Sequence, residues 1–187
     1  MRRMPACAAA VAVAIVAATL VAGAGGAAAA RGPILQAHGV GTVRFGMRKG
    51  EAVARLRVLL GAPSARGVNT GCGARYTEVE WGDFVAEFRL GVFSGYRFVR
   101  GGYPLTTAGS PRDASPPAGV SPALATARGI TLGSTLAELR ALYRLRRAGA
   151  NLWRAPNGLF FVDDAKRDPV PPASRIVEIK TGTCGDF

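Results

Sequence analysis

A glycine-marked motif occurs twice in this chain, and an internal duplication constrains architecture more than any composition figure does. Gly41-Thr42-Val43-Arg44-Phe45-Gly46-Met47 is echoed 87 residues later by Arg128-Gly129-Ile130-Thr131-Leu132-Gly133-Ser134. At that offset Gly46 falls on Gly133, Val43 on Ile130, Phe45 on Leu132 and Glu51 on Glu138. Farther on, Trp81-Gly82-Asp83-Phe84-Val85 resembles Asn157-Gly158-Leu159-Phe160-Phe161, and Tyr96 to Arg100 resembles Arg175 to Ile179. A unit of roughly 60 residues buries too little surface to stand alone, so the two should share a core.

Each unit opens with a helical pattern. Leu132, Leu136, Leu139 and Tyr143 recur at spacings of four, three and four, which places them on one helix face. Thr135 and Glu138 have the spacing of a capping box, in which each side chain satisfies an amide at the helix start. The first unit keeps Glu51 but has Arg48 at the cap position and Gly50 in the first turn. Its helix, with Ala52, Leu56, Leu59 and Leu60 inward, should stop at Gly61-Ala62-Pro63.

Strand signals follow each helix. Phe84, Ala86, Phe88 and Leu90 alternate with Val85, Glu87 and Arg89, the pattern of a half-buried strand, and Gly91 starts a turn into a strand around Tyr96 to Arg100. Asn157-Gly158 marks a hairpin between Leu152-Trp153 and Leu159 to Val162, and a last strand runs from about Arg175 to Lys180. Prolines 104, 111, 116, 117 and 122 deny the stretch between the units regular structure. The expected class is therefore α+β: two tandem helix-then-antiparallel-sheet repeats packed together, residues 31–101 and 128–187, joined by a linker over 102–127.

The first 30 residues look like a removable export signal. Arg2 and Arg3 precede an apolar run from about Ala8 to Ala22, and Ala28-Ala29-Ala30 gives a small-residue cleavage site. Taking these 30 residues, with their two arginines, from a chain of 187 at formal charge +12 leaves 157 at +10. Cys7 precedes the apolar run, whereas a lipidated cysteine would follow it. Cys72 and Cys184 then remain in an oxidising compartment, where one disulfide between them is expected. Export also removes nucleic acid as the target of the positive charge. The chain uses 21 Arg against 3 Lys, a skew that matches GC-rich coding. The charge would still draw the protein to anionic headgroups and wall polymers.

Val43-Arg44-Phe45-Gly46-Met47, followed by a helix and closed by Leu60-Gly61-Ala62-Pro63, resembles the opening of the SmpA/OmlA module and of the repeats in beta-lactamase inhibitory protein. Thr106-Thr107-Ala108-Gly109, the run Gly129 to Arg140, Trp81-Gly82-Asp83 and Cys184-Gly185-Asp186 resemble a family of exported actinobacterial proteins without an established function. The resemblance implies helix-first modules, two in tandem. It brings no catalytic residues, and because the cysteines fall one per repeat it does not transfer an inhibitory surface.

Candidate sites are sparse. His38 lies among glycines with no partner at a recognisable spacing. Asp163, Asp164 and Asp168 lack the spacing of a calcium loop. Ser134 is explained by the helix start, and Gly71-Cys72-Gly73 and Gly101-Gly102 match no phosphate-binding fingerprint. No metal site and no cofactor is expected. Trp81, Tyr96, Arg97 and Tyr103 form the candidate partner-binding patch, because Trp, Tyr and Arg dominate interface energetics; Phe84, Phe88 and Phe98 are assigned to the core. Two functional classes follow. One is a non-enzymatic, secreted or envelope protein that binds an envelope or extracellular protein as an inhibitor or assembly accessory. The other is electrostatic adhesion to anionic wall polymer or lipid through Arg55, Arg57, Arg140, Arg144, Arg146, Arg147 and Arg154. A hydrolase is a third class, for which the sequence supplies no catalytic set.

Overall fold

A computed structural model describes residues 32–70, 74–101, 123–165 and 168–181 of the chain. The expected export signal, Cys72, Cys184, Tyr103 and most of the expected linker lie outside these residues. Strands β1 (Ile34–Gln36), β2 (Gly39–Val40) and β3 (Val43–Arg44) lead into helix α1 (Lys49–Leu60). Then come β4 (Ala65–Asn69), β5 (Tyr76–Trp81), β6 (Phe84–Arg89) and β7 (Val92–Val99). After β8 (Ala125–Thr126) follow helix α2 (Leu136–Leu142), β9 (Arg146–Arg147), β10 (Leu152–Arg154), β11 (Phe160–Asp163) and β12 (Ile176–Lys180).

The expected α+β pair of helix-then-sheet repeats is not what forms. The fold is mostly β: 15% of the described residues are helical and 41% lie in strands, in one sheet of four strands and one of eight. The large sheet runs β4-β5-β6-β7-β12-β11-β10-β9. Its two halves are joined by direct hydrogen bonding, β7 against β12, with Arg97, Phe98 and Val99 opposite Lys180, Ile179 and Glu178. Backbone pairing across this seam makes one continuous sheet where two packed units were expected. The small sheet, β3-β2-β1-β8, joins β1 to β8 in parallel. Strand β8 falls inside the stretch read as linker, and Leu124 just before it is buried.

The repeated motif nevertheless has a common backbone geometry. Gly46 and Gly133 both sit at φ 87, where a side chain would be strained. Their amides donate to the carbonyls of Phe93 and Ile176, and the amides of Phe93 and Ile176 return to the carbonyls of Met47 and Ser134. Each glycine thus pins the start of a helix to a strand of the large sheet.

One hydrophobic cluster unites the parts. It holds Leu35 and Val43 of the small sheet, Leu56 of α1, Leu136 and Leu139 of α2, and Phe84, Phe93, Tyr96, Phe161 and Ile179 of the large sheet. Helix α1 ends at Gly61, whose amide bonds the Arg57 carbonyl. Helix α2 begins at Thr135 with a complete capping box to Glu138, and at seven residues it depends on burying Leu136 and Leu139.

Candidate functional site

Two of the four residues of the expected patch, Trp81 and Tyr96, are not at the surface, and Tyr103 lies outside the described residues. Trp81 is 2% exposed and Tyr96 fully buried. The Trp81 indole N–H donates to the Gly61 carbonyl at 2.9 Å, so its polar edge closes the end of α1. The Tyr96 hydroxyl donates to the Gln36 carbonyl at 2.9 Å, tying large sheet to small, and burial pushes its phenol far above the ordinary tyrosine range. Tyr96 and Phe98 are two apart on β7 and therefore share a face, which ought to have assigned both to the core. Phe84, Phe88 and Phe98 are buried.

Arg97 points to the opposite face and is a counter-ion. Pairing places Glu78 of β5 directly across from Glu87 of β6, an arrangement that destabilises a sheet unless a cation intervenes. The Arg97 guanidinium lies 2.6 Å from Glu87 Oε1 and 3.8 Å from Glu78 Oε1, and Asn69 donates to the same Glu78 oxygen at 2.9 Å. Burial raises the Glu87 pKa, Arg97 opposes that shift, and Glu78 and Glu178 reinforce it. The alternation of β6 predicts one wet face, yet Val85 and Glu87 are as buried as Phe84 and Ala86.

The other candidates are separated. His38 is exposed in the turn between β1 and β2. Asp163 is buried and accepts from the Trp153 indole at 2.6 Å and from the Ala165 amide. Asp164 accepts from the Arg175 amide, and Asp168 pairs with Arg147 at 3.0 Å. The Ser134 hydroxyl accepts from the Thr131 amide. Among the described residues no cluster of His, Cys, Asp and Glu has the arrangement to hold a metal ion, and no helix is long and apolar enough to cross a membrane.

What the fold does assemble is an arginine face around two cavities. The β10–β11 hairpin turns through Ala155-Pro156-Asn157-Gly158, where the Gly158 amide bonds the Ala155 carbonyl, and this turn stands against the C-terminal end of α2. Between them lies a cavity of about 440 Å³ walled by Arg128, Arg140, Leu142, Tyr143, Arg144 and Pro156. Beside it, sharing Pro156, a cavity of about 380 Å³ is lined by Arg146, Arg154 and Ala155. No carboxylate among the described residues lines either cavity, and none pairs with these five arginines.

Three of these five guanidinium groups lie over aromatic rings. Arg140 lies 4.7 Å from the Trp153 ring centre, Arg128 lies 5.0 Å from that of Tyr143, and Arg154 lies 5.4 Å from that of Phe160. Arg128 also donates to the Leu142 carbonyl, one of the acceptors the end of α2 leaves without a helical partner. A stacked guanidinium keeps its in-plane N–H donors while losing little further freedom on meeting an anion. Arg147 differs: it is occupied by Asp168 and by the carbonyls of Gly149 and Ala150. Arg55 and Arg57 stand on α1, where Arg55 pairs with Glu51 at 2.9 Å. Arg128 was not among the arginines singled out from sequence. The interleaving Tyr143-Arg144 and Trp153-Arg154 was the available signal for this face.

No protein-family model matches the chain, and no similar curated protein or solved structure was found.

Proposed function

We propose that the protein is a non-enzymatic binding module, exported to the cell envelope, whose arginine face holds an anionic envelope component. The observation that carries this reading is the convergence of Arg128, Arg140 and Arg144 on one cavity, with no described carboxylate lining it. Arginine presents a fork of donors that matches phosphate and carboxylate oxygens, and charge-assisted bonds of this kind are about twice as strong as neutral ones. Of the candidate protein-binding residues Trp81, Tyr96, Arg97 and Tyr103, the first two lie in the core, Arg97 pairs with Glu87, and Tyr103 lies outside the described residues.

The test separates a site from mere net charge. Arg140→Ala with Arg144→Ala should weaken binding to a soluble glycerol-phosphate polymer about tenfold, the loss of one or two charge-assisted bonds. Arg55→Ala with Arg57→Ala removes the same charge from α1 and should change affinity less than about twofold. Equal losses in the two pairs, read by calorimetry at fixed salt, would show that only overall charge matters.

A further inference from the structure

Among the described residues, four large apolar side chains are substantially exposed: Ile34 at 36%, Leu142 at 39%, Val58 at 88% and Leu90 at 93%. Val58 stands on α1 and Leu90 at a hairpin tip, two ordinary single exposures. The other two stand in cavities. Leu142 lines the arginine cavity, while Ile34 lines a neighbouring cavity of about 390 Å³ with Ala125, Ala127, Gly129 and Arg128. Arg128 walls both.

The two spaces differ in chemistry. Three arginines line the first, whereas Arg128 is the one charged residue among the described residues lining the second. A chain of repeated phosphates extended into the second cavity would give up hydration with a single cation to replace it. Hydrocarbon entering the same space leaves water at no such cost and covers Ile34 and the alanine methyl groups. Each cavity has the volume of an ordinary small-ligand site, about 300 to 1,000 Å³.

From this juxtaposition we infer that the ligand is an anionic amphiphile bound as a single molecule. Its head is held by Arg128, Arg140 and Arg144, and its alkyl chain runs past Leu142 and Arg128 onto Ile34. The inference rests on the anion-binding reading above and adds the apolar half of the ligand. Arg128 joins the two halves, its guanidinium serving the head while its methylene stem lies along the chain.

The experiment is calorimetric titration of the purified protein with inorganic phosphate, hexyl phosphate, dodecyl phosphate below its micelle concentration, and the uncharged dodecyl maltoside. Affinity should rise with alkyl length, dodecyl phosphate exceeding inorganic phosphate by at least about tenfold, which burial of roughly two methylene groups supplies. Ile34→Ser, which changes only the second cavity, should remove much of that gain and leave inorganic phosphate binding unchanged. The length series needs no variant, so a folding defect in Ile34→Ser would not obscure the outcome. Equal affinity for inorganic and dodecyl phosphate would overturn the amphiphile and leave the anion site standing. Dodecyl maltoside binding as tightly as dodecyl phosphate, or no binding by any phosphate, would overturn both. Binding to phosphatidylglycerol vesicles without binding of monomeric dodecyl phosphate would also refute the inference, since it would place the interaction at a bilayer surface.

Discussion

The two helix starts offer an internal comparison. Thr135, at φ −79 and ψ 156, accepts from the Glu138 amide at 3.1 Å, and its own amide donates to Glu138 Oε2 at 2.6 Å. Arg48 holds the same place at φ −58 and ψ 141 and makes no side-chain cap. Both residues form an antiparallel bridge, Arg48 to Val92 at the start of β7 and Thr135 to Arg175 just before β12, so the surrounding backbone is alike. Arg48→Thr should therefore let Glu51 complete a second capping box without strain. A cap of this type contributes about 1 kcal/mol. Removing a cation from the positive end of the helix adds a few tenths. Against this, Glu51 would leave Arg55, a pair whose side chains are both 49% exposed and which contributes at most about 0.5 kcal/mol. The net gain is about 1 kcal/mol, or roughly 4 °C in thermal midpoint for a chain of this size. Differential scanning calorimetry checks it, with Thr135→Ala expected to lower the midpoint by a similar amount. If Thr135→Ala behaves as stated and Arg48→Thr leaves the midpoint unchanged or lower, the equivalence of the two helix starts is refuted.

Leu90 occupies the first place of the two-residue turn between β6 and β7, at φ 51 and 93% exposed, followed by Gly91 at φ 77. Asparagine tolerates this backbone far better than leucine, so Leu90→Asn should stabilise by about 1 kcal/mol in urea denaturation, and no gain would contradict the turn geometry. Glu87 gives a pH dependence of definite sign. Its pKa is raised by burial in the folded state, so the folded protein holds this proton at pH values where the unfolded chain has lost it. The associated stability is complete below the ordinary glutamate range and fades as pH rises through the folded pKa. Glu87→Gln should therefore improve relative to the parent protein as pH rises above the ordinary glutamate range, with Glu78 still countering Arg97; a stability difference that stays constant with pH would rule out Glu87 as the source.

Much local structure was legible because it rests on short-range chemistry. The Thr135–Glu138 box, the glycine after Leu60 and the Asn157-Gly158 turn each act over a few residues, and each is present. The fold class was not legible for the complementary reason. Helix starts carry strong signals, whereas β2, β3, β8 and β9 are two residues long and show no period at all. Reading the prominent helices as the leading elements gave α+β. The seam between β7 and β12 joins residues more than 75 apart, and nothing local announces it.

Register also decides which charged residues become sites. In β6 the alternation correctly separates Phe84, Ala86 and Phe88 from Val85 and Glu87, but period two says only that the faces differ. Whether the second face is wet depends on its neighbours, and there the pairing sets Glu78 beside Glu87 and Val85 beside Arg97. The same logic sorts the arginines. Arg147 is near the others in sequence, yet Asp168 and two carbonyls occupy it. Arg128, distant in sequence, reaches the cavity because the repeated motif brings it to the end of α2, where the Leu142 carbonyl accepts from it. An arginine face thus forms where arginines meet aromatic rings and, among the described residues, no carboxylate, a condition of spatial neighbours that residue counts and spacings do not encode.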